Sequence, residues 1–256
     1  MTQMSLQGPK VVAAVQFEPK ILDVRKNIST ARDLAFEAAA KGACVVVLPE
    51  LCVSGYALKD AREASACAQT RDGYQTQAFL EIARVHNCHI VLGYVELLDG
   101  KLYNSAAVLG PRGLVSNHQK HNLWANDHLW AEASEAVNPV VVTRAGRLGT
   151  LICGDVENNY RKSYKFYNEG HRFYRYGSVD AIALLTNWSG EFGYPHSSWV
   201  SLAEQVNTNV IVSNRVGKER ELKFGGGSCV VTRSQKVYTN GSSFVNEAVV
   251  GGIVEL

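Results

Sequence analysis

Charge of one sign, long apolar runs and paired cysteines are all missing from this sequence, and each absence removes a class of protein. Lys and Arg number 26 against 24 Asp and Glu, a formal net charge of +2 over 256 residues. No general field therefore steers the chain onto nucleic acid or an anionic membrane. No stretch approaches the roughly 20 apolar residues that cross a bilayer, and the opening M-T-Q-M-S-L-Q-G-P-K has no basic flank leading into an apolar core. Neither nucleic acid nor membrane is expected as a partner, and neither secretion nor an anchor is expected. Cys44, Cys52, Cys67, Cys88, Cys153 and Cys229 include no C-x-x-C pair, which points to the reducing cytoplasm rather than to a disulfide framework. There is no H-E-x-x-H, no clustered Cys/His spacing, and Gly225-Gly226-Gly227-Ser228 lacks the lysine of a phosphate loop, so no metal or organic cofactor is expected.

Proline is scarce, at 6 residues, and no Pro-, Ser- or charge-rich stretch divides the chain. With 46% hydrophobic and 20% charged residues the expectation is one α/β domain over residues 1–256. Val11–Phe17 is an apolar run stopped by Glu18-Pro19, hence a buried strand. Val24, Ile28, Ala31, Ala35, Ala38 and Ala39 then recur at helical spacing, with Asp23 placed to cap the start and Gly42 to end the last turn. Cys44–Leu48 is a wholly apolar, β-branched run of the kind buried on both faces. A helix is expected from Thr76 to Val85 and another from about Trp199 to Val206. Strands are expected at His89–Val95, Leu102–Leu109, Leu114–Gln119, Val140–Thr143, Leu148–Cys153, Ala181–Thr186, Val210–Asn214, Ser228–Thr232 and Ala248–Val254. No internal repeat is visible.

Three of these strands end on reactive side chains of complementary chemistry: Glu50 after V-V-V-L-P, Lys120 after L-V-S-N-H-Q, and Cys153 after L-G-T-L-I. Strand ends are where a rigid scaffold opens into a crevice. A thiol is the most nucleophilic common side chain once ionised, a carboxylate can take its proton, and an ammonium can hold the oxyanion formed by attack on a carbonyl. Together they fit an acyl-transfer site. His118 and His121 flank Lys120, but strand alternation is taken to turn both away from the lysine, and neither is assigned a role.

The segments V-V-V-L-P-E-L-C-V-S-G-Y, H-Q-K-H-N-L-W and G-R-L-G-T-L-I-C-G-D resemble the glutamate, lysine and nucleophile motifs of the nitrilase superfamily of carbon–nitrogen hydrolases. The similarity extends from the Val11–Phe17 strand with Gln16, through Asn104-Ser105, to D-A-I-A-L-L-T-N-W, V-I-V-S-N-R-V-G and F-G-G-G-S. What the resemblance implies is a four-layer α-β-β-α sandwich, pairing into a homodimer or higher homo-oligomer. It also implies a hydrolase of a small amide or carbamoyl compound that works through a cysteine thioester without metal or cofactor. It places the general base on Glu50, the oxyanion cation on Lys120 and the nucleophile on Cys153. Many members carry a second glutamate between lysine and cysteine; Glu132 in L-W-A-E-A-S is the choice here, with Asp127 and Glu135 as rivals. Gly154 would let substrate approach the backbone N–H that follows the nucleophile, and Trp188, Tyr56 and Trp124 are candidates for the pocket wall.

Two departures from that family's pattern stand out. Gly154, Asp155 and Glu157 occupy the places where members often show an aromatic, Asp and, two residues later, Arg, which favours a neutral or cationic substrate over one carrying a carboxylate there. Nitrilases proper usually show Cys-Trp-Glu at the nucleophile, so an amide is favoured over a nitrile. The stretch Glu157–Tyr176 is also longer than usual. It places Tyr160, Tyr164, Tyr167, His171 and Tyr174 on one helical face and holds five basic residues against two acidic ones, a combination suited to core packing, a subunit interface or a pocket wall. The competing readings are a silent member acting as a binding or scaffold subunit, against which the three intact reactive residues stand, and a papain-like thiol protease, which would need a histidine motif that is absent.

Overall fold

The computed structural model describes residues 9–136, 140–157, 179–190, 195–239 and 246–254. Most of the aromatic and basic stretch expected after Glu157 lies outside them, as does the side chain of Glu157 itself. Two six-stranded mixed sheets dominate. The first runs β14 (Ala248–Val254), β1 (Lys10–Gln16), β2 (Val45–Val47), β3 (His89–Leu98), β4 (Lys101–Gly110) and β5 (Gly113–Gln119). The second runs β6 (Val141–Thr143), β7 (Gly146–Ile152), β8 (Ala181–Thr186), β9 (Asn209–Asn214), β12 (Cys229–Val231) and β13 (Val237–Thr239). β1, β2 and β3 are parallel, as are β7, β8 and β9, and every other neighbour pair in the two sheets is antiparallel. Strand for strand the two sheets repeat one pairing order, although the sequence carries no repeat. β14 lies antiparallel along β1 with Val254 opposite Lys10, so the two ends of the described chain share one sheet edge.

The sheets face each other. Val12, Ala14, Val45, Val47, Val91, Ala106 and Val108 of the first meet Leu148, Ile152, Ala181, Ala183, Leu185, Ile211 and Val230 of the second in one apolar layer. Strands covered on both faces must be apolar at successive positions, and V-V-V of β2 is buried throughout. Each such valine contributes about 1.5–3 kcal/mol relative to exposure.

Helices α1 (Val24–Ala40) and α3 (Tyr74–Val85) cover the outer face of the first sheet, where Ala31, Ala35 and Ala38 approach Val46, Leu48 and Ile90. Asp23 caps α1 as expected, its side chain accepting from Lys26 N, and Gly42 follows at φ +92°. α5 (Pro195–Val206) covers the second sheet, with Trp199, Leu202 and Ala203 against Ile182, Leu184 and Val212. These four layers are the α-β-β-α sandwich that the resemblance implied. Elements not anticipated from the sequence include helix α2 (Ala61–Cys67), strand β13, and a hairpin of β10 (Val216–Glu219) and β11 (Leu222–Gly225). No helix among the described residues is long and apolar enough to cross a membrane.

Candidate active site

Glu50 and Cys153 stand just beyond parallel strands of opposite sheets, β2 and β7, and Lys120 follows β5. The chain turns sharply at the first two. Leu51 adopts φ +47° and Cys153 φ +37°, a left-handed region costly for residues with a Cβ and often retained at functional positions. The turn at Glu50 depends on Gly93 of β3. A Cβ there would stand 2.5 Å from Pro49 O, 2.6 Å from Leu51 N and 2.8 Å from Glu50 Cα. From the second sheet, the Asn187 amide beyond β8 donates to the Glu50 carbonyl at 3.0 Å. Cys153 N donates to Leu185 O at 2.8 Å, and the short helical turn α4 (Gly154–Glu157) follows.

Lys120 is fully buried between two carboxylates. Its Nζ donates to Glu50 Oε1 and to Asp127 Oδ2, each at 2.6 Å. Asn104 Nδ2, on β4, donates to the same two carboxylates, to Glu50 Oε1 at 2.8 Å and Asp127 Oδ1 at 3.1 Å. Two carboxylates against one ammonium leave excess negative charge among fully buried side chains, and the proton affinities follow from that. Burial raises the Glu50 carboxyl above the ordinary glutamate value; Lys120 opposes the rise and Asp127 adds to it. Burial disfavours the Lys120 ammonium, but Glu50, Asp127, Cys153 and Tyr56 outweigh it and hold the amine well above its ordinary value. Glu50 Oε2 is buried with no hydrogen-bond partner among the described residues.

The second acidic group at the lysine is therefore Asp127, carried on a 3-10 turn over Ala125–Leu129. This corrects the choice of Glu132, which is exposed and touches the framework through its backbone N–H, donating to Leu102 O at 2.8 Å. Glu135 is exposed as well. The physical reason is reach: the turn after Lys120 folds straight back, so the short Asp127 side chain meets the ammonium, whereas the chain has already left for β4 at Glu132.

Gly154 is buried, and a Cβ on it would come 2.7 Å from Asn122 O and 3.7 Å from Lys120 Cε. The turn after Cys153 thus lies directly against the lysine and has no room for a side chain at 154. Tyr56 is buried, and burial followed by the charges of Glu50, Asp127 and Cys153 pushes its hydroxyl proton affinity up. Trp124 is 46% exposed, with its Cβ 3.6 Å from the Cβ position of Gly154, at the rim. Trp188 is half-buried and lies against Trp199 of the outer helix, ring centroids 5.3 Å apart; its Nε1 is buried with no partner among the described residues.

Sequence reasoning missed three further parts of this framework. Asn104 and Asn187 lie in segments that carry the resemblance but had no assigned role. His118 was set aside by a miscount of direction: residues 118 and 120 are two apart and share one strand face. His118 is buried and its Nε2 lies 2.7 Å from Asp155 Oδ2. Among the described residues no group of three or more His, Cys, Asp or Glu side chains is placed to hold a metal.

Comparison with known proteins identifies the family. The sequence model of the family described as "Carbon-nitrogen hydrolase" matches residues 11–247. A protein named nitrilase from Pyrococcus abyssi is 32% identical over 246 residues, covering 96% of this chain and 88% of the relative. An (R)-stereoselective amidase from a Pseudomonas species is 25% identical over 222 residues, covering 86% and 76%. Among solved structures, a double mutant of the amidase from Nesterenkonia sp. AN1 in complex with acrylamide superposes with a TM-score of 0.77 at 19% identity, covering 99% of this chain and 92% of that one. The chain belongs to the carbon–nitrogen hydrolase family, and its class of chemistry is hydrolysis of carbon–nitrogen bonds.

Proposed function

We propose that this protein hydrolyses a non-peptide carbon–nitrogen bond in a small amide or carbamoyl compound through a thioester on Cys153. The observation that carries the reading is the division of labour at Glu50. One of its oxygens is held by Lys120 and Asn104, while the other is buried without a partner among the described residues, on a carboxyl whose proton affinity is already raised. Such a group suits alternate acceptance and donation of a proton.

In the proposed sequence Glu50 takes the Cys153 thiol proton as sulfur attacks the carbonyl carbon. The tetrahedral oxyanion is met by the Lys120 ammonium and the backbone N–H of Gly154. Glu50 returns the proton to the departing nitrogen and ammonia or amine leaves; water deprotonated by Glu50 then attacks the thioester carbon, the C–S bond breaks to release the carboxylic acid, and the proton passes from Glu50 to the Cys153 sulfur. Asp127 and Asn104 hold the lysine and the glutamate in register. Tyr56, Trp124 and Trp188 form the walls. Cys-Gly-Asp at the nucleophile, where nitrilases proper usually show Cys-Trp-Glu, favours an amide over a nitrile; the similarity to a protein named nitrilase supports the nitrile reading as the second one. A cytoplasmic setting and pairing of two copies belong to the same proposal. The six cysteines are buried and not paired in disulfides, which fits the first, and light scattering of the purified protein tests the second.

A panel of amides, carbamoyl amines and nitriles, assayed for ammonia and carbon dioxide together, tests the assignment. Ammonia alone indicates an amide or nitrile, and both products indicate a carbamoyl compound. Turnover by Cys153→Ala at the wild-type rate would overturn the mechanism. If the wild-type protein turned over no panel member and iodoacetamide left Cys153 unlabelled, the silent scaffold reading would replace it.

A further inference from the structure

We propose that His118 is a positioning residue for the nucleophile, acting through Asp155 to tie the turn that carries Cys153 to the strand that carries Lys120. The inference rests on the reading of Cys153 as the nucleophile. Asp155 is fully buried and spends both oxygens on this join. Oδ2 accepts from Ile152 N at 2.9 Å, directly before Cys153, and meets His118 Nε2 at 2.7 Å; Oδ1 accepts from His121 N at 2.9 Å and Asn122 N at 3.0 Å, directly after Lys120. One carboxylate thus spans the residues on either side of both reactive groups. An acceptor used this way is ionised, so the His118 ring donates from Nε2. Its other nitrogen, Nδ1, is buried with no partner among the described residues. Among the described residues the ring thus serves Asp155, with the His121 ring edge-on at 5.1 Å between centroids.

The electrostatics support the geometry. Burial alone would raise the Asp155 carboxyl, but the hydrogen bond and charge of His118, the charge of His121 and the Asn122 N–H outweigh it and hold the carboxyl below the ordinary aspartate value. Among the described residues, the titratable and charged groups around Asp155 are His118, His121 and Cys153, with Lys120 two residues beyond His118 and already held by Glu50 and Asp127. Removing the His118 donor leaves Asp155 less able to stay ionised. The join then loosens at a higher pH than in the wild-type protein, and Cys153 moves relative to Lys120 and Glu50.

The test is the rate of iodoacetamide alkylation at Cys153, followed by mass spectrometry across pH for wild type, His118→Phe and His118→Gln. Burial pushes the thiols of Cys67 and Cys88 up to about 11 and that of Cys52 to about 12, and mass spectrometry reads Cys153 separately from the other five. The thiolate is the species that iodoacetamide alkylates, and Glu50 generates it, so a Cys153 moved out of register with Glu50 holds less of the reactive form. His118→Phe is accordingly expected to be alkylated about tenfold or more slowly, with the acid limb of its rate profile moved to higher pH. His118→Gln, whose amide can donate to the same oxygen, should lie within about threefold of wild type. Wild-type rate and an unmoved limb in His118→Phe would overturn the proposal, as would a Gln variant no better than Phe. Should circular dichroism show His118→Phe unfolded, Asp155→Asn takes its place, with the same slowing expected and a wild-type rate overturning. An amide panel that yields no ammonia from wild type, alongside alkylation rates that fall as stated, would remove the hydrolase reading and leave the positioning role standing.

Discussion

Glu50 is the residue on which the chemistry turns, and its environment sets a pH dependence. A base must be ionised to act, and burial with Asp127 nearby raises the Glu50 carboxyl above the ordinary glutamate value. As pH falls, the base is therefore lost earlier than an exposed glutamate would be. Lys120, held well above its ordinary value, remains an ammonium across the same range. The acid limb of kcat/KM is expected above the ordinary glutamate value of about 4.3. In Asp127→Asn, where one source of that rise is gone, the limb should move to lower pH; a limb that stays put or moves upward would contradict this electrostatic account. At this scale the sequence was informative about the reactive groups and poor about their holders. Glu50, Lys120 and Cys153 stand at strand ends with distinctive chemistry. Asp127 could not be separated from Glu132, because the choice depends on the path of a short irregular turn, and Asn104 looks like any strand asparagine until it is seen donating to two carboxylates.

Among the elements, the hairpin β10–β11 does the most to join the walls of the site. Arg215 and Glu219 form a buried ion pair, and Glu219 also accepts from the backbone N–H groups of Tyr56 at 2.7 Å and Ala57 at 2.6 Å. The Arg215 guanidinium lies 4.1 Å over the Phe224 ring, and Phe224 meets Tyr56 edge-on at 5.9 Å. Gly225 N, at the end of the same hairpin, donates to Trp188 O at 3.1 Å. Removing one partner of a buried pair leaves an uncompensated charge, at a cost of about 3–5 kcal/mol. Glu219→Gln should lower the unfolding free energy by about that amount in urea, with the midpoint falling and the slope unchanged; a midpoint at the wild-type concentration would show that the pair does not hold the hairpin. Long elements such as α1, β8 and β14 were legible because their periodicity and end signals agree. The hairpin was not, since its four-residue strands include Gly217, and its turn at Arg220, φ +53°, lacks the Gly or Asn that marks such a bend. Seven-residue α2 is too short for helical spacing to show.

At the level of the whole molecule, two halves of equal pairing order meet face to face, and the candidate site is shared between them: Glu50, Asn104 and Lys120 come with the first sheet, Cys153 and Asn187 with the second. The alternation of strands and helices was legible, but the division into two sheets was not. That information resides in contacts between distant residues, and the two halves reach the same arrangement with unrelated side chains. The pairing of Lys10 with Val254 has a practical consequence. Because β1 and β14, the first and last described strands, pair directly, a short linker between Lys10 and Val254 would close at little loop-closure cost. New termini could then open at the exposed Asp99-Gly100 turn, where both residues have positive φ and a Cβ on Gly100 meets nothing within 4 Å. Such a circular permutant is expected to fold with wild-type circular dichroism and the wild-type Cys153 alkylation rate. Its failure to fold would mean that the order in which the strands are made, as well as their final pairing, is required to assemble the two sheets.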